Sequence, residues 1–236
     1  MSDHAHHHHH HHEEHFTSSD LVKDIVIGMA DGLTVPFALA AGLSGAVSSN
    51  GLIITAGVAE IAAGSIAMGL GGYLAGKTEV EHYESELKRE YDEVERVPER
   101  EIQEVKDVFA EYGISEKLQD EIATELSKDK DKWVDFMMKF ELGMEKPDPK
   151  RASRSAFNIG VSYVIGGIVP LIGYVIADTP EKGLIISSVL TVVFLFGFGY
   201  IKTRLTGNNP LLGALKTVFT GVLAAGAAYA IARMVS

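Results

Sequence analysis

The sequence contains no cysteine, which excludes disulfide scaffolds, thiolate metal sites and cysteine nucleophiles. Any metal chemistry must therefore use carboxylate, imidazole or thioether. Basic residues are also scarce: 21 Lys+Arg stand against 32 Asp+Glu, a formal charge of −11 over 236 residues. A nucleic-acid binder needs a basic face to neutralise phosphates, so that class is excluded. The polar start lacks a basic region leading into a short apolar core, so no cleavable signal peptide is expected. The unbroken run His6–His12 reads as a purification tag, with a native metal-gathering tail as the alternative; residues 1–19 are expected to be a disordered His-rich tail.

What the sequence does have is charge segregation. The segment Lys77–Arg154 holds 23 of the acids and 15 of the bases, leaving 9 acids and 6 bases for all other residues. Charge-free windows run over Gly32–Ala59, Ser155–Ala177 and Gly183–Ile201. About 20 helical residues cross a hydrocarbon core about 30 Å thick, so a purely soluble reading is excluded. Five spans are expected: Leu21–Gly45, Leu52–Ala75, Ala156–Ala177, Gly183–Ile201 and Leu211–Ala232. Thr17–Asp20 supplies N-cap candidates for the first, and polar turns containing Ser48–Gly51, Asp178–Pro180 and Gly207–Pro210 separate the others. The expected fold is an all-α membrane protein, with residues 20–76 forming spans one and two, 77–150 a helical insert, and 151–236 spans three to five.

Basic residues near the span ends set the orientation. Lys23, Lys77, Lys150, Arg151, Arg154, Lys202 and Arg204 fall on one side, against Lys182 and Arg233 on the other. The N-terminus and the insert are thus expected to be cytosolic and the C-terminus to lie across the membrane. The insert itself reads as a small bundle. Thr78–Glu95 continues span two, Pro98 starts a helix over about Glu99–Tyr112 that Gly113 ends, and Ser115 caps Glu116–Lys128. Asp129–Leu142 is expected to form the last helix. Val105, Val108 and Phe109, and likewise Leu118, Ile122 and Leu126, have the spacing of a buried stripe. Trp133 is expected in the core and His82 on the surface.

Asp31 and Glu60 lie inside apolar spans, where a carboxylate is costly and normally faces a partner, a wet cavity or an ion. Counted along antiparallel helices, Glu60 lies roughly 14 Å and Asp31 roughly 20 Å from the Gly51 face. Met68, eight residues beyond Glu60, completes a ladder of Met68, Asp31 and Glu60 read from the cytosol. Protonated structural hydrogen-bonders are the alternative for the acids, and packing for Met68; two acids on adjacent spans favour a pathway. Pro36 is expected to kink span one beyond Asp31. Gly28 and Gly32 in span one, and Gly57, Gly64, Gly69 and Gly72 in span two, suit close helix packing or dimerisation.

In the insert, Glu90 with Glu93 and Glu101 with Glu104 are i, i+3 pairs on either side of the Val97–Pro98 turn. Two such helices folded together can surround a cation with oxygen, and Met137, Met138 and Glu141 offer thioether and a further carboxylate. Oxygen suits hard ions and thioether softer ones, so the mixture points to Fe²⁺ or a near neighbour. Spacing alone leaves a solvated acidic face as the alternative.

The stretches GMADGLTVPFALAAGLSG (Gly28–Gly45) and GVAEIAAGSIAMGLGGYLA (Gly57–Ala75) closely resemble the first two spans of the plant vacuolar iron transporter family. The match is collinear from about Phe16 to the end. The resemblance implies a proton-coupled antiporter moving Fe²⁺ from the cytosol into the vacuole, and a five-span homodimer in the vacuolar membrane with a luminal C-terminus. It implies that Asp31, Glu60 and Met68 line the path, and that Glu90, Glu93, Glu101, Glu104, Met137, Met138 and Glu141 form a cytosolic metal site. It implies no enzyme and no prosthetic group, only the bound or transported ion.

Three competing expectations remain. A transporter of the same architecture for Mn²⁺, Co²⁺ or Zn²⁺ shares every residue named. A membrane-anchored ferritin-like di-iron oxidase uses Glu-x-x-His motifs, which the insert is expected to lack. A metal sensor without transport leaves the intramembrane acids without a purpose.

Overall fold

The computed structural model describes residues 15–235, so the His6–His12 run lies outside the described residues. Within them the chain forms α1 (His15–Ser44), α2 (Asn50–Arg96), α3 (Pro98–Glu111), α4 (Glu116–Leu126), α5 (Lys130–Phe136), a π-helical turn (Met137–Glu141), α6 (Arg151–Ile176), α7 (Pro180–Leu205) and α8 (Pro210–Val235). No strand occurs among the described residues. α1, α2, α6, α7 and α8 are each long and apolar enough to cross a membrane, matching the five expected spans. α1 begins ahead of the proposed cap at Thr17–Asp20, because neither Gly nor Pro interrupts His15–Asp20. α2 runs unbroken for 47 residues, so its charged second half continues the apolar first half, as expected.

The residues divide into two compact units, one comprising the chain up to Gly72 with Arg154 onward, the other Tyr73–Ser153. In the first unit, α6 is the element on which α1 and α2 converge, and glycine makes the approach possible. A Cβ at Gly28 would lie 2.2 Å from the Ile159 carbonyl oxygen, and one at Gly32 2.3 Å from that of Tyr163. Gly57, Gly64 and Gly72 of span two face the same helix: Cβ atoms there would meet Leu171, Tyr163 and Ile159 at 2.4–2.6 Å. Small residues thus let these backbones pack closely within one chain. Ala40, Ile53, Ile61, Leu171 and Tyr174 form a buried cluster where α1, α2 and α6 meet. α7 and α8 pack on each other and on α1. Pro36 sits inside α1 without interrupting it, its ring against Gly167 of α6.

The second unit has a core of Tyr83, Val94, Val105, Ala123, Trp133, Val134, Met137 and Met138. Pro98 occupies the first turn of α3, and Gly113, with φ of +75°, follows its C-terminus as expected. His82 is exposed. Two expectations need correction. Leu118 is 49% exposed, because α4 turns Ala123 rather than a full leucine stripe inward. The last insert helix is not one α-helix: Asp129 caps α5 through the Lys132 amide, and α5 then widens into the π-helical turn. There the Leu142 amide donates to the Met137 carbonyl at 3.1 Å, five residues back.

Candidate functional site

The Tyr73–Ser153 unit gathers the predicted acids. Glu90 and Glu93 project from the charged half of α2, and Glu101 and Glu104 from α3, whose start is fixed by the Val97–Pro98 break. Glu90, Glu93 and Glu101 each bring one carboxylate oxygen within 4.8 Å of the others, a spacing that fits a shared cation. Glu90 and Glu101 are both only 1% exposed. Glu90 Oε2 and both oxygens of Glu101 are buried with no hydrogen-bond partner among the described residues. Solvated surface acids do not have this arrangement. Buried carboxylate oxygens left unpaired are costly, and a cation is the counterpart that removes the cost.

The electrostatics carry the same sign. Burial first, then repulsion from Glu93, raises Glu90 above its ordinary value. Burial, then Glu104, Glu90 and Glu93, pushes Glu101 up to about 7. Partial desolvation, then Glu104 and Glu90, pushes Glu141 up to about 7, although its side chain is exposed and water screens its coupling. Glu141 is not among the three acids whose oxygens share this spacing. Met137 and Met138 are fully buried in the unit's hydrophobic core, carried by the π-helical turn, a feature frequent at functional sites.

Sequence reasoning missed Arg89. Its guanidinium lies 2.7 Å from Glu86, 3.5 Å from Glu90 and 3.5 Å from Glu93, a built-in counter-cation at the mouth of the acidic group. The signal was present, since these acids flank Arg89 at positions −3, +1 and +4. Arg100 pairs with Glu104 at 2.9 Å. One Glu-x-x-His does occur in the insert, Glu79–His82, correcting the expectation of none; its imidazole is exposed and stands 3.9 Å from Glu86. A ferritin-like centre needs two such motifs on facing helices.

In the membrane-spanning unit, Glu60 is held on α2 with Tyr163 of α6 donating its hydroxyl to Oε1 at 2.5 Å. Glu60 Oε2 is buried and has no hydrogen-bond partner among the described residues. Asp31 is half-buried on α1, beside the Gly32 contact with the Tyr163 backbone. Met68 is half-buried on α2, two turns beyond Glu60. Among the described residues no hydrogen bond joins Asp31 or Met68 to Glu60, whose partner is Tyr163. A third acid escaped notice: Asp24 is 1% exposed and accepts hydrogen bonds from Ser155 Oγ at 2.9 Å and Asn158 Nδ2 at 3.4 Å. Its spacing of seven from Asp31 puts both on one face of α1, which the sequence does display.

Comparison with known proteins agrees with this architecture. The model of the VIT family matches residues 22–233. Vacuolar iron transporter 1 of Arabidopsis thaliana is 51% identical over 221 residues, covering 94% of this chain and 88% of that protein. Vacuolar iron transporter 1 of Oryza sativa subsp. japonica is 52% identical over the same length and coverage. Protein CCC1 of Saccharomyces cerevisiae is 38% identical over 223 residues, covering 89% of this chain and 67% of that protein. With a family match over nearly its whole length and relatives named as transporters rather than enzymes, the chain belongs to the VIT family.

Proposed function

We propose that this protein exchanges cytosolic Fe²⁺ for protons from an acidic vacuolar lumen. The observation that carries the reading is Glu60: an acid inside a membrane span, with one oxygen hydrogen-bonded and the other buried and unpartnered. A fixed structural acid would have both oxygens satisfied; an acid that takes an ion and a proton in turn needs one free. The kinship with vacuolar iron transporters supplies the ion and the membrane.

In this scheme Glu90, Glu93, Glu101, Glu104 and Glu141, with Met137 and Met138, capture the ion on the cytosolic side. The ion then passes to Met68, Asp31 and Glu60. Carboxylates bind metal when deprotonated, so protonation from the lumen releases the ion there and carries H⁺ back. The mixed oxygen and thioether set also accepts Mn²⁺, Co²⁺ and Zn²⁺ as competitors. The insert and N-terminus face the cytosol and the C-terminus faces the lumen, by the distribution of basic residues.

The working unit is a homodimer. Gly57, Gly64, Gly69 and Gly72 of α2 are occupied by α6, which leaves a second face of α2 carrying Ala59, Ala63, Ile66, Ala67 and Leu70 exposed in the single chain. Small residues on an uncovered span suit close approach of a second copy. Purified protein in liposomes should take up Fe²⁺ faster when the lumen is acidic, and Glu60→Gln should abolish that uptake. Gradient-independent uptake by Glu60→Gln at the wild-type rate would overturn the scheme.

A further inference from the structure

We propose that Tyr163 is the positioning residue of the intramembrane site: its phenol fixes the Glu60 carboxylate so that Oε2, and not Oε1, is presented to the transported ion. This rests on the reading that Glu60 lines the path.

Burial and two close contacts hold Tyr163. It is 2% exposed on α6. Its carbonyl oxygen occupies the space a side chain at Gly32 would need, so its backbone is anchored on α1 next to Asp31. Its ring occupies the space a side chain at Gly64 would need: a Cβ there would lie 2.4 Å from Oη and 2.5 Å from Cζ. Gly64 is one turn beyond Glu60 on α2, so this notch aims the phenol along the helix at that carboxylate.

A phenol carries a single donor hydrogen, and here it goes to Glu60 Oε1. Glutamate is otherwise a flexible side chain, and holding it in one rotamer carries an entropic cost. A donor fixed between two helices bears that cost in advance, leaving Oε2 buried, unpartnered and in one place. A purely structural tie between α6 and α2 needs only the ring in its notch. The hydroxyl and the orphaned second oxygen are what point to positioning.

Tyr163→Phe separates the two roles, because it keeps the ring and removes only the donor. In proteoliposomes the apparent KM for Fe²⁺ should rise about tenfold, equivalent to about 1.4 kcal/mol and close to the lower end for a hydrogen bond to a charged group, while Vmax is retained. The melting temperature of the purified variant in detergent should match wild type. An unchanged KM overturns the inference. So does a lowered melting temperature with a parallel loss of KM and Vmax, since that is the signature of packing. Glu60→Gln measured alongside distinguishes the levels: if it transports normally, the path through Glu60 is wrong; if it is inactive while Tyr163→Phe has wild-type KM, only the positioning role fails.

Discussion

Glu101 contributes to this protein even before any ion arrives, because it is buried among other acids with neither oxygen paired. Its value is raised from 4.5 to about 7 in the folded chain, by burial first and by Glu104, Glu90 and Glu93 next. The folded state therefore holds this proton more tightly than the unfolded state. Its contribution to stability is complete below 4.5 and is lost as pH rises through about 7. Metal-free protein in detergent should accordingly show a higher unfolding midpoint for the insert at pH 5 than at pH 8. Trp133, the only tryptophan and buried in the insert core, reports that unfolding. Saturating Fe²⁺ should reverse the order, since the metal takes the carboxylates in their deprotonated form. A midpoint that falls from pH 8 to pH 5 without metal would contradict the burial of Glu101. Arg89 was readable as a participant from its flanking acids, whereas Tyr163 was not. Its partner Glu60 is 103 residues away, and no local spacing announces a hydrogen bond between helices so distant in sequence.

Among the elements, the five spans and the continuation of α2 were legible because long charge-free windows and helix punctuation are local signals. Pro98 and Gly113 marked α3 for the same reason. The π-helical turn was not legible. Its i, i+5 bonding has no residue pattern distinct from an α-helix, so Asp129–Leu142 read as one regular element. The GxxxG pair in α1 was ambiguous between internal packing and dimerisation, and the close approach to Ile159 and Tyr163 decides for packing on α6. That packing makes a sharp prediction. Gly32→Ala places a methyl 2.3 Å from a backbone oxygen that no rotamer change can move. It should cost about 1–3 kcal/mol and lower the melting temperature in detergent. Gly71→Ala, whose new methyl meets nothing within 4 Å, is the control and should not destabilise. Equal melting temperatures for the two variants would contradict the α1–α6 contact.

For the whole molecule, the total of −11 divides into −8 over Lys77–Arg154 (15 − 23) and −3 elsewhere (6 − 9). The large share belongs to a helical unit in which Glu90, Glu93 and Glu101 bring carboxylate oxygens together. The small share includes Asp24, Asp31 and Glu60, which stand inside or at the edge of spans where every charge is costly. In the proposed scheme, capture and translocation use the same chemistry in two settings, with proton and metal competing for carboxylates. The central claim is that the two fluxes are coupled. The direct measurement follows Fe²⁺ uptake and luminal pH together in proteoliposomes with an acidic interior and a trapped pH dye. The lumen should become more alkaline in step with iron entry and return to baseline leak when Fe²⁺ is omitted. Sustained iron uptake with no iron-dependent change in luminal pH would contradict the account.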